Sequence, residues 1–315
     1  MVAAVKKSAT TAAPQDSTQL SVPGAGDTAA PKLSADPWST VQDVGAMSDQ
    51  DKLKCLLFGG NGAGKTTCAV RFRRPLVGLT EQQALPAIKE SNPNAIIKVI
   101  RGAQDLLELR QLCRSPELAT RVDAVILDSL TDAQRIIKDL YTGMQAKRRD
   151  VTDMETWGKV IDATARLARE LRDLPVHTVV ICLDHEAEVE GEGLVHRPAV
   201  SGKNLPNQLG QYFNLVGFIS RQTKTSGVRR EVMFEGPDRF QTKRMTGIDE
   251  VEAPEPLLWI QKRFKVDIPD VKDGNGKSVQ DRIKEWKAAG SESSSDTAPA
   301  QQQANGSTNI NTGAV

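Results

Sequence analysis

Aromatic residues make up only 4 % of this 315-residue sequence: seven Phe, four Trp and two Tyr. Such a supply argues against a surface built on rows of stacking rings, the usual platform for single-stranded nucleic acid. Cysteine is as scarce, and Cys55, Cys68, Cys113 and Cys182 each sit inside an apolar segment at spacings unlike paired metal ligands. Neither a disulfide framework nor a zinc site is expected, and the four read as small buried hydrophobes. The opening MVAAVKKSATTAAP lacks the continuous apolar stretch of a signal peptide, and no window approaches the roughly 18 apolar residues of a membrane span, so a cytoplasmic protein that does not enter a membrane is expected. Charge of one sign is also missing, with 41 Lys and Arg facing 40 Asp and Glu. Residues 1–50 hold 3 of the bases against 5 acids, and residues 291–315 hold none against 2, which leaves the middle about five positive. That excess does not by itself argue for nucleic acid.

Residues 1–48 and 290–315 are dominated by Ala, Ser, Thr, Pro, Gln and Gly without an apolar period and read as solvated tails. One folded domain is expected at 49–289. Within it, short apolar runs recur at Lys54–Phe58, Pro75–Leu79, Ala95–Ile100, Ala124–Leu127, Thr178–Leu183 and Leu215–Ile219. Continuous runs of this kind suit parallel strands buried on both faces. The clearest helix between them is Met154–Arg172, with Thr152 and Glu155 placed as a capping box. Strands alternating with helices predict an α/β fold with a mostly parallel sheet flanked by helices. Arg229–Phe234 alternates between turn residues and predicts a C-terminal β-hairpin extension; Ser278–Ala289 predicts a last amphipathic helix.

The most specific signal is Gly59-Gly60-Asn61-Gly62-Ala63-Gly64-Lys65-Thr66, directly after an apolar run and before a helix. It satisfies G-x-x-x-x-G-K-[ST], in which glycines let backbone N–H groups turn inward around phosphate oxygens and the helix N-terminus adds its partial charge. Lys65 is expected to reach the β- and γ-phosphates, Thr66 to offer its hydroxyl to Mg2+, and Thr67 to contact the α-phosphate. The strand Val122–Ser129 ends in Asp128, placed to hold the same Mg2+, although its carboxylate also suits a cap for the helix that follows. Hydrolysis needs a group to orient or deprotonate water. Glu81 follows the second run and is the candidate, against a plain surface or capping glutamate. Asp184 and His185 end the Thr178–Leu183 strand on the same sheet edge, His185 as a γ-phosphate sensor or a structural histidine.

Taken together, GGNGAGKTT, PLVGLTE, VILDSLTDAQR, the helix with Trp157-Gly158, TVVICLDHE and the Ser201-Gly202-Lys203 turn resemble the phage-encoded RecA-like P-loop ATPases that accompany single-strand annealing proteins, over about residues 52–264. The resemblance implies ATP with Mg2+, Glu81 as catalytic glutamate and His185 as polar sensor. Leu79 stands where relatives often carry an acid. It further implies a ring or filament of identical subunits completed by a basic finger from a neighbour, with Lys243, Arg244, Lys262 and Arg263 as candidates. Single-stranded DNA is implied as partner, alongside a single-strand annealing or binding protein. Its contacts are expected along Glu188–Asn204, including Lys203, or on Arg221, Lys224, Arg229 and Arg230. Two readings compete: a P-loop kinase of a small molecule, and a switch or scaffold that binds ATP with little turnover.

Overall fold

Backbone amides buried under apolar side chains must pair with one another, and the apolar runs do so as one sheet. A computed structural model describes residues 52–144, 153–189, 191, 193–224 and 227–291; most of the two expected tails lies outside them. In chain order the strands are β1 (Lys54–Gly59), β2 (Pro75–Leu79), β3 (Ile96–Val99), β4 (Ala124–Asp128), β5 (His177–Val189), β6 (Gly193–Pro198), β7 (Leu215–Lys224), β8 (Gly227–Met233) and β9 (Val251–Glu252). The helices are α1 (Lys65–Ala69), α2 (Leu85–Ser91), α3 (Ala103–Cys113), α4 (Leu118–Arg121), α5 (Leu130–Met144), α6 (Met154–Arg172), α7 (Leu205–Tyr212), α8 (Pro256–Phe264) and α9 (Val279–Ser291).

The sheet runs β3-β2-β4-β5-β1-β7-β8-β9, parallel from β3 to β7 and antiparallel from β7 to β9. The mostly parallel sheet and its antiparallel extension agree with the expected architecture. Because successive strand residues face opposite ways, β1 feeds two cores. Leu56 and Phe58 join the core under α3, α5, α6 and α7, through Leu109, Leu130, Val160 and Leu205. Cys55 and Leu57 join the core under α1, α2, α8 and α9, through Cys68, Ile88, Trp259 and Ile283. All four cysteines are buried and unpaired; burial pushes every thiol up, Cys113 and Cys182 to about 12.

Three features depart from the sequence pattern. The helix at 154–172 is capped by Asp153, whose carboxylate accepts from the Thr156 N–H at 2.7 Å; Thr152 lies outside the described residues. The strand expected at Thr178–Leu183 does not end there, since β5 continues to Val189 and pairs with β6 as an antiparallel ribbon. Its polar alternation and Pro198 hid it from a search for apolar runs. The last helix extends through Ser291, past the boundary expected at 290.

Lys54 opens the strand that feeds both cores. Its ammonium donates to the carbonyls of Leu174 (2.5 Å) and Val176 (2.6 Å), tying the entry of β5 to β1, and burial lowers its pKa to about 8.

Candidate functional site

The parallel strands end together, so their C-terminal edge gathers the loops that follow β1, β2, β4 and β5. Between β1 and α1 the chain must reverse around empty space, and glycine makes that reversal feasible at two points. Gly59 lies against the carbonyl of Ile219, where an added Cβ would stand 2.3 Å from the oxygen. Gly64 is left-handed (φ 100°) as it enters α1. The Lys65 ammonium donates to the carbonyls of Gly59 and Gly60, both at 2.8 Å, so the lysine lies folded along the loop's inner rim. Burial lowers its pKa, while the carboxylates of Asp128, Glu81 and Asp184 oppose the shift.

Thr66 donates its hydroxyl to Asp128 Oδ2 at 2.6 Å, joining the loop to a strand two places away across β5. Asp128 is nearly buried, and desolvation raises its pKa against the Thr66 hydrogen bond and the Lys65 charge. A hydroxyl and a carboxylate oxygen at this spacing are the donors that a hard divalent cation takes. The pair therefore fits Mg2+, which Thr66 and Asp128 could hold. The backbone around Asp128 is braced from β2. Thr80 N–H donates to Asp128 O at 2.7 Å, the Thr80 hydroxyl accepts from Ser129 N–H at 3.0 Å, and Ser129 Oγ donates to Asp132 Oδ2 at 2.8 Å. Asp128 does not cap α5; its carboxylate points to Thr66.

Glu81 follows Thr80 and is therefore held one residue from the brace. Its side chain is exposed and accepts from Gln83 Nε2 at 3.0 Å, and its charge reaches both Lys65 and Asp128. His185 is exposed and pairs in register with Arg197. On the other face of that ribbon, Asp184 Oδ2 lies 2.8 Å from His196 Nδ1, and the His196 ring stacks on Phe240 at 4.7 Å. Phe240 and Phe218 continue this cluster to Phe58, the residue before Gly59. Asp184 is thus the residue of the Asp184-His185 pair that is felt at Lys65; sequence had no signal for its partner His196, eleven residues beyond His185 in a strand that was not foreseen.

The remaining candidates are distributed as follows. Lys203 and Arg221 are exposed; the side chain of Lys224 lies outside the described residues. Arg229 is stacked on the Trp286 ring at 4.5 Å and lies against Gly290, so it fastens α9 to the hairpin. The Arg230 side chain crosses directly over Gly64. Among the finger candidates, Lys243 donates to Phe213 O at 2.9 Å, Arg244 pairs with Glu235, Lys262 pairs with Asp249 and Glu252, and Arg263 lies over Phe264.

A family model described as an AAA domain matches residues 51–246. No curated protein matches the chain. Among solved structures, a KaiC-like protein from the hyperthermophilic archaeon Pyrococcus horikoshii OT3 is similar at 12 % identity and a TM-score of 0.34, over 61 % of this chain and 82 % of its own. The flagellar accessory protein FlaH from Methanocaldococcus jannaschii is similar at 9 % identity and a TM-score of 0.31, over 58 % and 77 %.

Proposed function

The chain belongs to this AAA domain family and has a RecA-like P-loop NTPase fold, and on that premise we propose that it hydrolyses ATP with Mg2+. The observation that carries the proposal is the 2.6 Å junction of Thr66 and Asp128, because it brings a loop built for phosphates and a strand-end carboxylate to a single point. Mg2+ bound there would neutralise charge on the β- and γ-phosphates. Lys65 leaves the carbonyls of Gly59 and Gly60 for phosphate oxygens, which replace them as acceptors. Glu81 orients water toward the γ-phosphorus; a bond from water oxygen forms as the bond to the leaving ADP oxygen breaks, and the released proton passes to Glu81 or solvent. Position favours Glu81 over the other acids on this edge: Asp128 and Asp132 are tied into the brace, Asp184 is tied to His196, and Glu81 is exposed.

The resemblance extends the reading to an ATPase that works with single-stranded DNA in phage recombination or annealing, as a homo-oligomer with an annealing or single-strand binding partner. Exposed Lys203 and Arg221 support contact with phosphates along a strand. A finger in trans from Arg244 or Lys262 would require that side chain to leave Glu235 or the Asp249–Glu252 pair.

Steady-state phosphate release with Mg2+ and ATP, with and without single-stranded DNA, tests both levels. Loss of roughly 10²-fold or more in Lys65→Ala and in Glu81→Gln is expected, since each removes a group that acts on the transition state. Full turnover in Glu81→Gln would sink the assignment of Glu81. Turnover indifferent to DNA would leave the ATPase standing and remove the DNA-linked role.

A further inference from the structure

Arg230 is the residue that the site geometry leaves unexplained. It lies on β8, 166 residues from the P-loop in sequence, yet a Cβ built on Gly64 would stand 2.6 Å from its Cδ and 3.0 Å from its Nε. The Arg230 side chain therefore lies directly over the left-handed glycine at which the loop enters α1. Arg230 is exposed and forms no ion pair with another described residue. Its cross-strand partner is Arg221, also exposed and without an ion pair to a described residue, so two arginines stand opposite each other in register. Like charges directly opposite destabilise a strand pair unless an anion lies between or beside them.

The surroundings say where that anion would come from. Arg230 and Gly64 line one cleft of about 560 Å³, together with Thr67, Arg71, Trp286 and Ala289. Its walls are α1 on one side and β8 with α9 on the other. The size is that of a small-molecule site. Phosphates in a P-loop lie in order, with the terminal ones at the lysine and the innermost toward the residues that follow it. Here the terminal end is fixed by the Thr66–Asp128 pair on the β5 and β4 side of β1, whereas the cleft opens on the β7 and β8 side.

We propose that this cleft receives the nucleoside half of the nucleotide and that Arg230 contacts its phosphates from the same subunit, so that the hairpin roofs the site in cis. This rests on the ATPase reading and deepens it. The hairpin is held in place from α9, with Arg229 lodged between Trp286 and Gly290 while Trp286 Nε1 donates to the Arg230 carbonyl at 2.9 Å. The same segment is anchored beneath the cleft, where Glu255 takes both Arg282 of α9 (2.7 Å) and Arg71 at the exit of α1 (2.5 Å).

Calorimetric titration with ATP and inorganic tripolyphosphate, each with Mg2+, and separately with a single-stranded oligonucleotide, separates the parts. Arg230→Gln is expected to weaken both probes by roughly tenfold, the loss of one charged contact. Ala289→Trp, which fills the cleft, is expected to weaken ATP by at least about tenfold and leave tripolyphosphate unchanged. Unchanged binding of both probes in Arg230→Gln overturns the role of the arginine, and unchanged ATP binding in Ala289→Trp overturns the place of the nucleoside. If Arg230→Gln weakens only a single-stranded oligonucleotide, the arginine serves a polynucleotide and the assignment falls. A wild type that binds neither probe overturns the ATPase reading itself, an outcome distinct from all of these.

Discussion

At the scale of single residues, the P-loop and its acid were legible because their chemistry is written in contiguous letters. GGNGAGKT and VILDS each specify a turn and a donor, and the 2.6 Å contact between Thr66 and Asp128 joins them. Arg230 was legible only as a charge. Nothing in Val228-Arg229-Arg230 tells which arginine is stacked on Trp286 and which lies over Gly64, because that depends on where α9 and the hairpin dock. His177 gives a prediction of the same kind. It accepts from the Leu53 N–H through Nδ1 at 2.9 Å, and burial lowers its pKa to about 4. The folded state holds this ring neutral, whereas the unfolded chain protonates it below about 6.5, so its contribution is complete above that pH and gone below about 4. Urea unfolding of wild type and His177→Gln at pH 7 and pH 4 should show the wild type losing more, by about 3 kcal/mol at most. Equal losses would mean that the ring titrates normally.

At the scale of elements, β1 to β4 were found in the sequence to within a residue or two, since a run such as Cys55–Phe58 is apolar throughout, whereas β5 and β7 run on past the apolar runs that marked them, to Val189 and Lys224. The β5–β6 ribbon was not found, because half of its side chains are polar and it stands beyond the core edge. The attachment of α9 was also invisible: it depends on Glu255, only 1 % exposed, which binds Arg71 and Arg282 over gaps of 184 and 27 residues. Removing one partner of a buried ion pair leaves the others uncompensated and costs about 3–5 kcal/mol. Glu255→Gln should therefore lower the urea midpoint strongly, and Arg282→Met less so, because it leaves Glu255 paired with Arg71. A mild effect in Glu255→Gln would show that the network contributes little. Gly217 makes a second test of packing, since an added Cβ would stand 2.6 Å from both Phe234 and Val232. Gly217→Ala should destabilise by about 1–3 kcal/mol, the usual cost of overpacking.

At the scale of the whole molecule, the periodicity announced a parallel sheet but not the order of its strands. Placing β5 between β1 and β4 is what sets Lys65, Asp128, Glu81 and Asp184 along one edge, and strand order follows from long-range packing rather than from any local pattern. Because helices from the N-terminal and C-terminal parts of the domain share the core beneath the P-loop, a ligand held there should stabilise the fold as a unit. At a hundred times its dissociation constant, MgATP should add about 2.7 kcal/mol and raise the melting temperature by about 5–10 °C, with no shift in Lys65→Ala. An equal shift in that variant would place the bound nucleotide elsewhere. The four buried thiols, all pushed above their ordinary range, carry one more consequence. The native protein should ignore maleimide dyes at neutral pH, so a single cysteine introduced at Arg221 would carry the only fluorophore, and a ligand's arrival at the hairpin could be followed by its emission without first stripping the chain of its own sulfur.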